Sequence, residues 1–300
     1  MKAALWGRAY FAAQALAGAA WWLGVFLLPP VREATLGQLD PVAVAIFDVP
    51  LFVAASALAA FGFRGAAIVA TAWTGLVTLA LAVFATITTQ AGWGVLAMVA
   101  ASACSVAALC LVLLGRIPTE WVLRGPFAFR PAAQRPTSGH VVTTFLQLVV
   151  FWGLFLGVIP LVLFALERRW ALAIPFPLPT LVSGLVLLLL ASALGIYSAI
   201  AMSTKGNGTP LPAAMANTLV IAGPYRWLRN PMALAGILQG AAVGLMLGSW
   251  LVVAYAVAGS LVWNYAVRPL EEADLRLRFG AEFEYYCQRV RCWIPRFRAD

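Results

Sequence analysis

Two short polar segments in the C-terminal half carry the residue types that bind a charged small molecule. The first ends in Gly223-Pro224-Tyr225-Arg226-Trp227-Leu228-Arg229-Asn230-Pro231. Gly-Pro makes a turn, and a proline following Asn230 suits an early helical position, where its missing N–H costs nothing. Arg229 is therefore expected just before a helix N-terminus. Backbone N–H groups lack partners there, and an arginine fork beside them can receive a carboxylate or a phosphate. A snorkelling arginine on lipid phosphate would use the same position. Upstream, Lys205-Gly206-Asn207-Gly208-Thr209-Pro210-Leu211-Pro212 must turn and cannot be helical.

The second segment runs from Arg268-Pro269-Leu270-Glu271-Glu272 to Tyr286 and closes on Trp293-Ile294-Pro295. A carboxylate pair in the most basic part of the chain must be balanced by Arg268, by Arg229 or by the positive part of a ligand. From Glu271 the pattern predicts an amphipathic helix with Leu275, Leu277 and Phe279 on its apolar face. Gly280 ends it, and Phe283, Tyr286 and Val290 begin the next stripe. A surface helix resting Arg276 and Arg278 on anionic lipid would account for the arginines. It leaves Glu271 and Glu272 without a purpose.

The elements that must position these residues follow from composition. Hydrophobic residues make up 63% of the 300 and charged residues 10%, against roughly 45–50% and 25% in a soluble domain. So few charges cannot cover a soluble fold of this size, so the chain is read as an all-α integral membrane protein. Apolar runs predict about eight spans, at 5–28, 43–63, 66–88, 93–115, 141–166, 179–202, 232–247 and 249–267. The seventh is short and meets the eighth at Leu247-Gly248-Ser249, which predicts a helical hairpin. Its two feet would hold the two polar segments close together. Gly236 and Gly240 supply a weak G-x-x-x-G spacing for close helix contact.

The net charge of +9 fits membrane orientation better than nucleic acid, which is not expected as a partner. With both termini in the cytoplasm, only Arg32, Arg168 and Arg169 of the 20 basic residues fall outside, leaving seventeen within. The basic N-terminus followed by an apolar run is read as a first span rather than a removed signal peptide. The Pro-rich stretch 116–140 divides a four-span region, 1–115, from a four-span region with a cytoplasmic site, 141–300. In the first of these, Asp48 is the one candidate buried charge, and its nearness to Asp40-Pro41 favours a position near the membrane interface. Cys104, Cys110, Cys287 and Cys292 match no zinc spacing and read as apolar fillers. No metal site is expected.

Tyr225-x-x-x-Arg229-Asn230-Pro231, then a hairpin, then Glu271-Glu272-x-x-Leu275-x-x-x-Phe279-Gly280-x-x-Phe283-x-x-Tyr286 and a final Pro295, resembles the isoprenylcysteine carboxyl methyltransferase family. The related membrane phospholipid methyltransferases share the motif. The resemblance covers roughly residues 180–295, and Lys205–Pro212 with Arg-Asn-Pro-Met looks like the bacterial branch. It implies a cytoplasmic S-adenosylmethionine site and a lipid or lipid-linked acceptor entering from the bilayer. Carried over by position, Gly223, Pro224, Tyr225, Arg229, Asn230, Pro231, Glu271, Glu272 and Tyr286 are cofactor residues, with Arg229 and Glu271 at the chemistry. Asn230 replaces the histidine of the eukaryotic Arg-His-Pro, Ala233 replaces a tyrosine, and so does Phe283.

These residue types suit that cofactor. Arg229 fits its carboxylate, Glu271 or Glu272 its ammonium or ribose hydroxyls, and Tyr225, Trp227 or Tyr286 its adenine or sulfonium. An already ionised acceptor such as a carboxylate needs no base, and the chain offers no histidine near these segments in sequence. That tilts the reading towards such an acceptor. No strand leads into a G-x-G-x-x-G, which excludes a Rossmann-type site. The competing class is a non-catalytic membrane protein or small-molecule transporter with a basic, lipid-gripping C-terminus. A transporter would cluster polar residues in broken mid-membrane helices, whereas Gln14, Asp48, Gln147, Gln239 and Asn264 are scattered along the sequence. A bacterial inner-membrane enzyme of the methyltransferase class is the expectation.

Overall fold

The computed structural model describes residues 2–123, 130–133, 136–209 and 214–295. Arg124, Pro126 and Arg135 of the expected linker, Pro210 and Pro212 of the loop, and Arg296 and Arg298 lie outside the described residues. Seven helices among the described residues are long and apolar enough to cross a membrane. The remaining expected span is a shorter apolar helix, Pro231–Leu247. The all-α architecture is the one the composition demands.

The chain divides into two compact units, the first made of Met1–Pro118 with Leu166–Leu172. It contains α1 (Lys2–Leu27), α2 (Pro29–Leu36), α3 (Pro41–Asp48), α4 (Ala55–Phe61), α5 (Arg64–Thr88) and α6 (Gly92–Leu114). Asp40 caps α3 by accepting from the Ala43 N–H at 2.8 Å. Pro50 cannot donate a helical N–H, and the helix passes through a π-helical stretch, Val49–Ala54, before resuming as α4. Small side chains set the packing: Phe11 sits among Ala55, Ala59, Ala67, Ala70 and Ala108.

Two polar residues of the first unit are held by partners on other helices. Asp48 is only 5% exposed, and its two carboxylate oxygens accept from the indole N–H groups of Trp22 at 2.9 Å and Trp73 at 2.8 Å. Asp48 is thus the buried charge that the sequence offered, held by two tryptophans on neighbouring helices. Gln14 is likewise not isolated. It donates to Ser56 and accepts from Ser105 and Tyr10, which joins three helices by one amide.

The second unit comprises Thr119–Ala165 and Ala173–Asp300. It holds α7 (Thr137–Trp152), continued by a π-helical stretch (Gly153–Val158) into α8 (Ile159–Arg169), of which residues 166–169 belong to the first unit, then α9 (Pro179–Lys205) and α10 (Pro231–Leu247). α11 (Trp250–Val262) runs through a π-helical stretch, Trp263–Val267, into α12 (Arg268–Arg289). The predicted hairpin is α10 and α11. Gly248 takes the left-handed conformation (φ +61°) that ends α10, and the Ser249 hydroxyl caps α11 by accepting from the Val252 N–H. The apolar part of the α11–α12 helix ends at Val267, before the charges of Arg268, Glu271, Glu272 and Asp274.

Gly280, at φ +50°, breaks α12 where the sequence predicts an end. Leu275 and Phe279 pack on the cluster of Phe283, Tyr286 and Val290. Leu277 does not join them and is 87% exposed, because residues two apart face different sides of a helix. α9 meets α10 closely at Gly184, where a Cβ would lie 2.9 Å from the Ala242 carbonyl oxygen and 3.0 Å from the Leu245 Cβ.

Gly184→Val should therefore destabilise the protein by about 1–3 kcal/mol through overpacking. A fall of several degrees in the unfolding midpoint in detergent checks this. Gly75→Ala, at a helical position with nothing within 4 Å, should leave the midpoint unchanged or raise it.

Candidate functional site

The first polar segment is held by its own backbone. After α9, Asn217 N–H bonds back to the Gly206 carbonyl at 2.7 Å, and the Thr218 hydroxyl to the Lys205 carbonyl at 2.7 Å. A Cβ on Gly208 would come within 2.5 Å of the Ala216 backbone, so this return needs glycine. Met215 pairs with the linker, donating to the Arg130 carbonyl and accepting from the Ala132 N–H. Gly223–Arg226 then forms a 3-10 turn that starts at a left-handed Gly223 (φ +59°).

That turn is tied to the second segment by Tyr286. Its hydroxyl donates to the Tyr225 carbonyl at 2.6 Å, with the Leu228 carbonyl at 3.4 Å. Two residues before α10, the Arg229 N–H donates to the Arg291 carbonyl at 3.1 Å. The Arg229 guanidinium meets Glu272 at 3.3 Å and also donates to the Cys287 thiol. Asn230 is the residue before Pro231 but makes no side-chain cap; its amide donates to the Cys292 sulfur at 3.4 Å. Arg229 and Glu272, 43 positions apart in sequence, thus meet at the two feet of one hairpin. The indole N–H of Trp293 fastens the end of the chain to Asn264 in the π-helical stretch at 3.1 Å.

These contacts surround a cavity of about 410 Å³. That volume lies within the range that holds a drug-sized ligand. Tyr225, Arg229, Asn230, Glu271, Glu272 and Tyr286 all line it. Ala233 and Phe283, the two positions where the sequence departs from the tyrosines of the motif, line it too. Gly223, Pro224 and Pro231 do not reach the cavity; they shape the turn and the start of α10 that carry their neighbours. Trp227 is 45% exposed and lies away from the cavity, so it is not one of the aromatic walls. The aromatic wall opposite comes from Phe151, Trp152 and Trp263.

The electrostatics are uneven. Glu272 has Arg229 and, at 3.6 Å, Arg276. Glu271 makes no hydrogen bond or ion pair with another described residue. Burial, and then the nearby Glu272 and Asp274, push its carboxyl up to about 7. The Tyr225 phenol is also pushed up, by burial first and Glu271 next. Arg229 stays cationic beside Glu272, yet its buried Nε–H has no acceptor. The site holds one unpaired carboxylate and one unpaired guanidinium N–H, a pattern that fits the ammonium and carboxylate of an amino acid. Residues 179–282 match the family model of the phospholipid methyltransferases. The matched segment runs from the start of α9 to two residues past the Gly280 break in α12 and includes every expected site residue except Tyr286. No curated protein and no solved structure matches the chain.

Several cavity residues escaped the sequence reading. Thr144 and Gln147 come from α7, outside the phospholipid methyltransferase match. His140 is one turn from Thr144 on the same helix but does not itself line the cavity. Cys287 and Cys292 are more than fillers, since each accepts from a residue of the Arg-Asn pair. Among the described residues, no group of three or more metal-ligating side chains is found.

The Glu271 shift has a stability consequence. A carboxyl whose folded pKa lies above its unfolded value holds its proton more tightly when folded. Its contribution is most favourable below the unfolded value of 4.5 and is lost as pH rises towards about 7. The ligand-free unfolding midpoint should fall over that window, and Glu271→Gln should flatten the fall; thermal melts across the window check it.

Proposed function

We propose that the protein is an integral membrane methyltransferase that uses S-adenosylmethionine and acts on a lipid or lipid-linked acceptor. The observation that carries this reading is the pairing of an acceptor-less Arg229 Nε–H with an unpartnered Glu271 carboxylate on one cavity wall, within a segment that matches lipid methyltransferases. The cofactor supplies, when bound, an electrophilic methyl group on a sulfonium.

The donor set fits that cofactor. Arg229 would bind the carboxylate, and Glu271 the ammonium. Glu272 holds Arg229 in place and offers its second oxygen to a ribose hydroxyl. Tyr225 and Tyr286 flank the cavity as ring surfaces, with Tyr286 also fixing the Tyr225 turn. Methyl transfer is an in-line displacement, so these residues act chiefly by orienting the reactants. Phe151, Trp152, Trp263 and Leu148 exclude water and offer an apolar wall for an acyl or prenyl chain.

The same reading orients the chain with both termini in the cytoplasm of a bacterial inner membrane, supported by seventeen basic residues on that side against three on the other. Residues 141–300 form the methyltransferase region, 116–140 the linker, and 1–115 an accompanying four-span region. The isoprenylcysteine-like motif supports a carboxyl-methylating relative, and the matched family model a phospholipid-methylating one.

Calorimetric titration of S-adenosylhomocysteine into the purified protein tests the reading. Wild type should bind. Arg229→Ala and Glu271→Ala should each bind at least about tenfold more weakly, as expected when one charge-assisted hydrogen bond is lost. A folded wild type that binds nothing overturns the enzyme reading. Equal binding by all three overturns the residue assignment.

A further inference from the structure

α7 lies outside the segment that matches the family model, yet it contributes Thr144, Gln147, Leu148, Phe151 and Trp152 to the cavity. Its polar members share a defect. The Thr144 hydroxyl and the Gln147 side-chain oxygen are buried without a hydrogen-bond partner, as is Nε2 of His140. Thr144 and His140 are each only 3% exposed. Positions 140, 144 and 147 follow the i, i+4, i+7 spacing that sets side chains along one face of a helix.

The Thr144 hydroxyl is the more telling because helical hydroxyls elsewhere in this chain bond back to the carbonyl one turn earlier. Thr71, Thr74, Thr78 and Ser198 all do so, and Thr143, next to Thr144, bonds to the Gly139 carbonyl. Thr144 forgoes that bond and lines the cavity instead. A buried polar atom left unpaired costs about 1–3 kcal/mol, so the two that line the cavity, on Thr144 and Gln147, call for a partner from outside the chain.

We infer that this face of α7 is the recognition site for the polar head of the acceptor, with Thr144 and Gln147 as its hydrogen-bonding residues. The inference rests on the methyltransferase reading and adds to the site the cavity-lining residues that come from α7. The chemistry it would hold is an uncharged, hydrogen-bonding group of the lipid head, such as a hydroxyl or an amide, bound beside the atom that takes the methyl rather than at it. Gln147 offers an acceptor, Thr144 both a donor and an acceptor, and the face carries no lysine or arginine to pair with an anion. Arg229, the one cation lining the cavity among the described residues, is the residue assigned to the cofactor carboxylate. His140 extends the same polar face by one turn.

The test uses the full-length protein in vesicles of total polar lipid extract from the membrane that houses it, with tritiated S-adenosylmethionine and a lipid-phase count. Thr144→Val and Gln147→Leu should each raise the KM for the lipid extract about threefold to tenfold. S-adenosylhomocysteine affinity should stay within about twofold of wild type. Thr143→Val, whose hydroxyl already has its carbonyl, should change neither. An unchanged lipid KM in both variants overturns the inference while leaving the methyltransferase reading intact. An equal loss of S-adenosylhomocysteine affinity overturns it as well, by assigning the face to the cofactor. Wild type that transfers no methyl to the extract overturns the inference, and its failure to bind S-adenosylhomocysteine would remove the underlying reading too.

Discussion

The contact between Arg229 and Glu272 is the constraint on which the rest of the site depends. Each side chain is about 15% exposed, so neither charge is fully hydrated and each needs the other. Removing one partner of a buried pair typically costs about 3–5 kcal/mol, because the remaining charge is stranded. The pair therefore holds the start of α10 against the start of α12. Cys287, Tyr286 and the Arg291 carbonyl reinforce the same junction from the α12 side. One arginine cannot balance two adjacent carboxylates, however. Satisfying Glu272 leaves Glu271 with a high proton affinity and free to take a positive ligand group. The reactive asymmetry of the site follows from the pairing that stabilises it.

Much of this was legible in the sequence, because it depended on local signals. Apolar runs bounded by Gly, Pro and charge gave the helices. Leu247-Gly248-Ser249 gave the hairpin, and the hairpin implied that Arg229 and Glu271 would converge. Gly280 marked a real break. The residues that escaped depend on partners remote in sequence. Thr144 and Gln147 belong to the cavity only because α7 packs against α9, and nothing within α7 announces that neighbour. The partners of Asp48 could not be read from its own helix, because Trp22 and Trp73 each lie on another. Cys287 and Cys292 looked inert because a thiol becomes a hydrogen-bond acceptor only when a donor arrives. Leu277 was the avoidable error. A residue two positions from Leu275 cannot share its face.

The two polar walls of the cavity differ in kind. The cofactor side is charged, and its groups are fastened to one another as well as open to a ligand. The α7 side is neutral, and its groups are fastened to nothing. A reaction that joins a zwitterionic reactant to an amphiphilic one needs these two environments within one cavity, and a hairpin facing a separate helix supplies them without either compromising the other. The π-helical stretch at Trp263–Val267 serves the same division. Its wider turn sets an indole on the apolar wall only a few residues before the carboxylates begin.

The brevity of α10 has a consequence for where the reaction takes place. Its 17 residues rise about 25 Å, whereas a bilayer's hydrocarbon core is about 30 Å thick. A spanning helix with that shortfall obliges the lipid around it to thin or draws its ends below the level of the surrounding headgroups. If the shortfall is taken up at the end bearing Arg229 and Asn230, the proposed site lies at the depth of the lipid headgroups, where an acceptor could be modified without being lifted out of its leaflet.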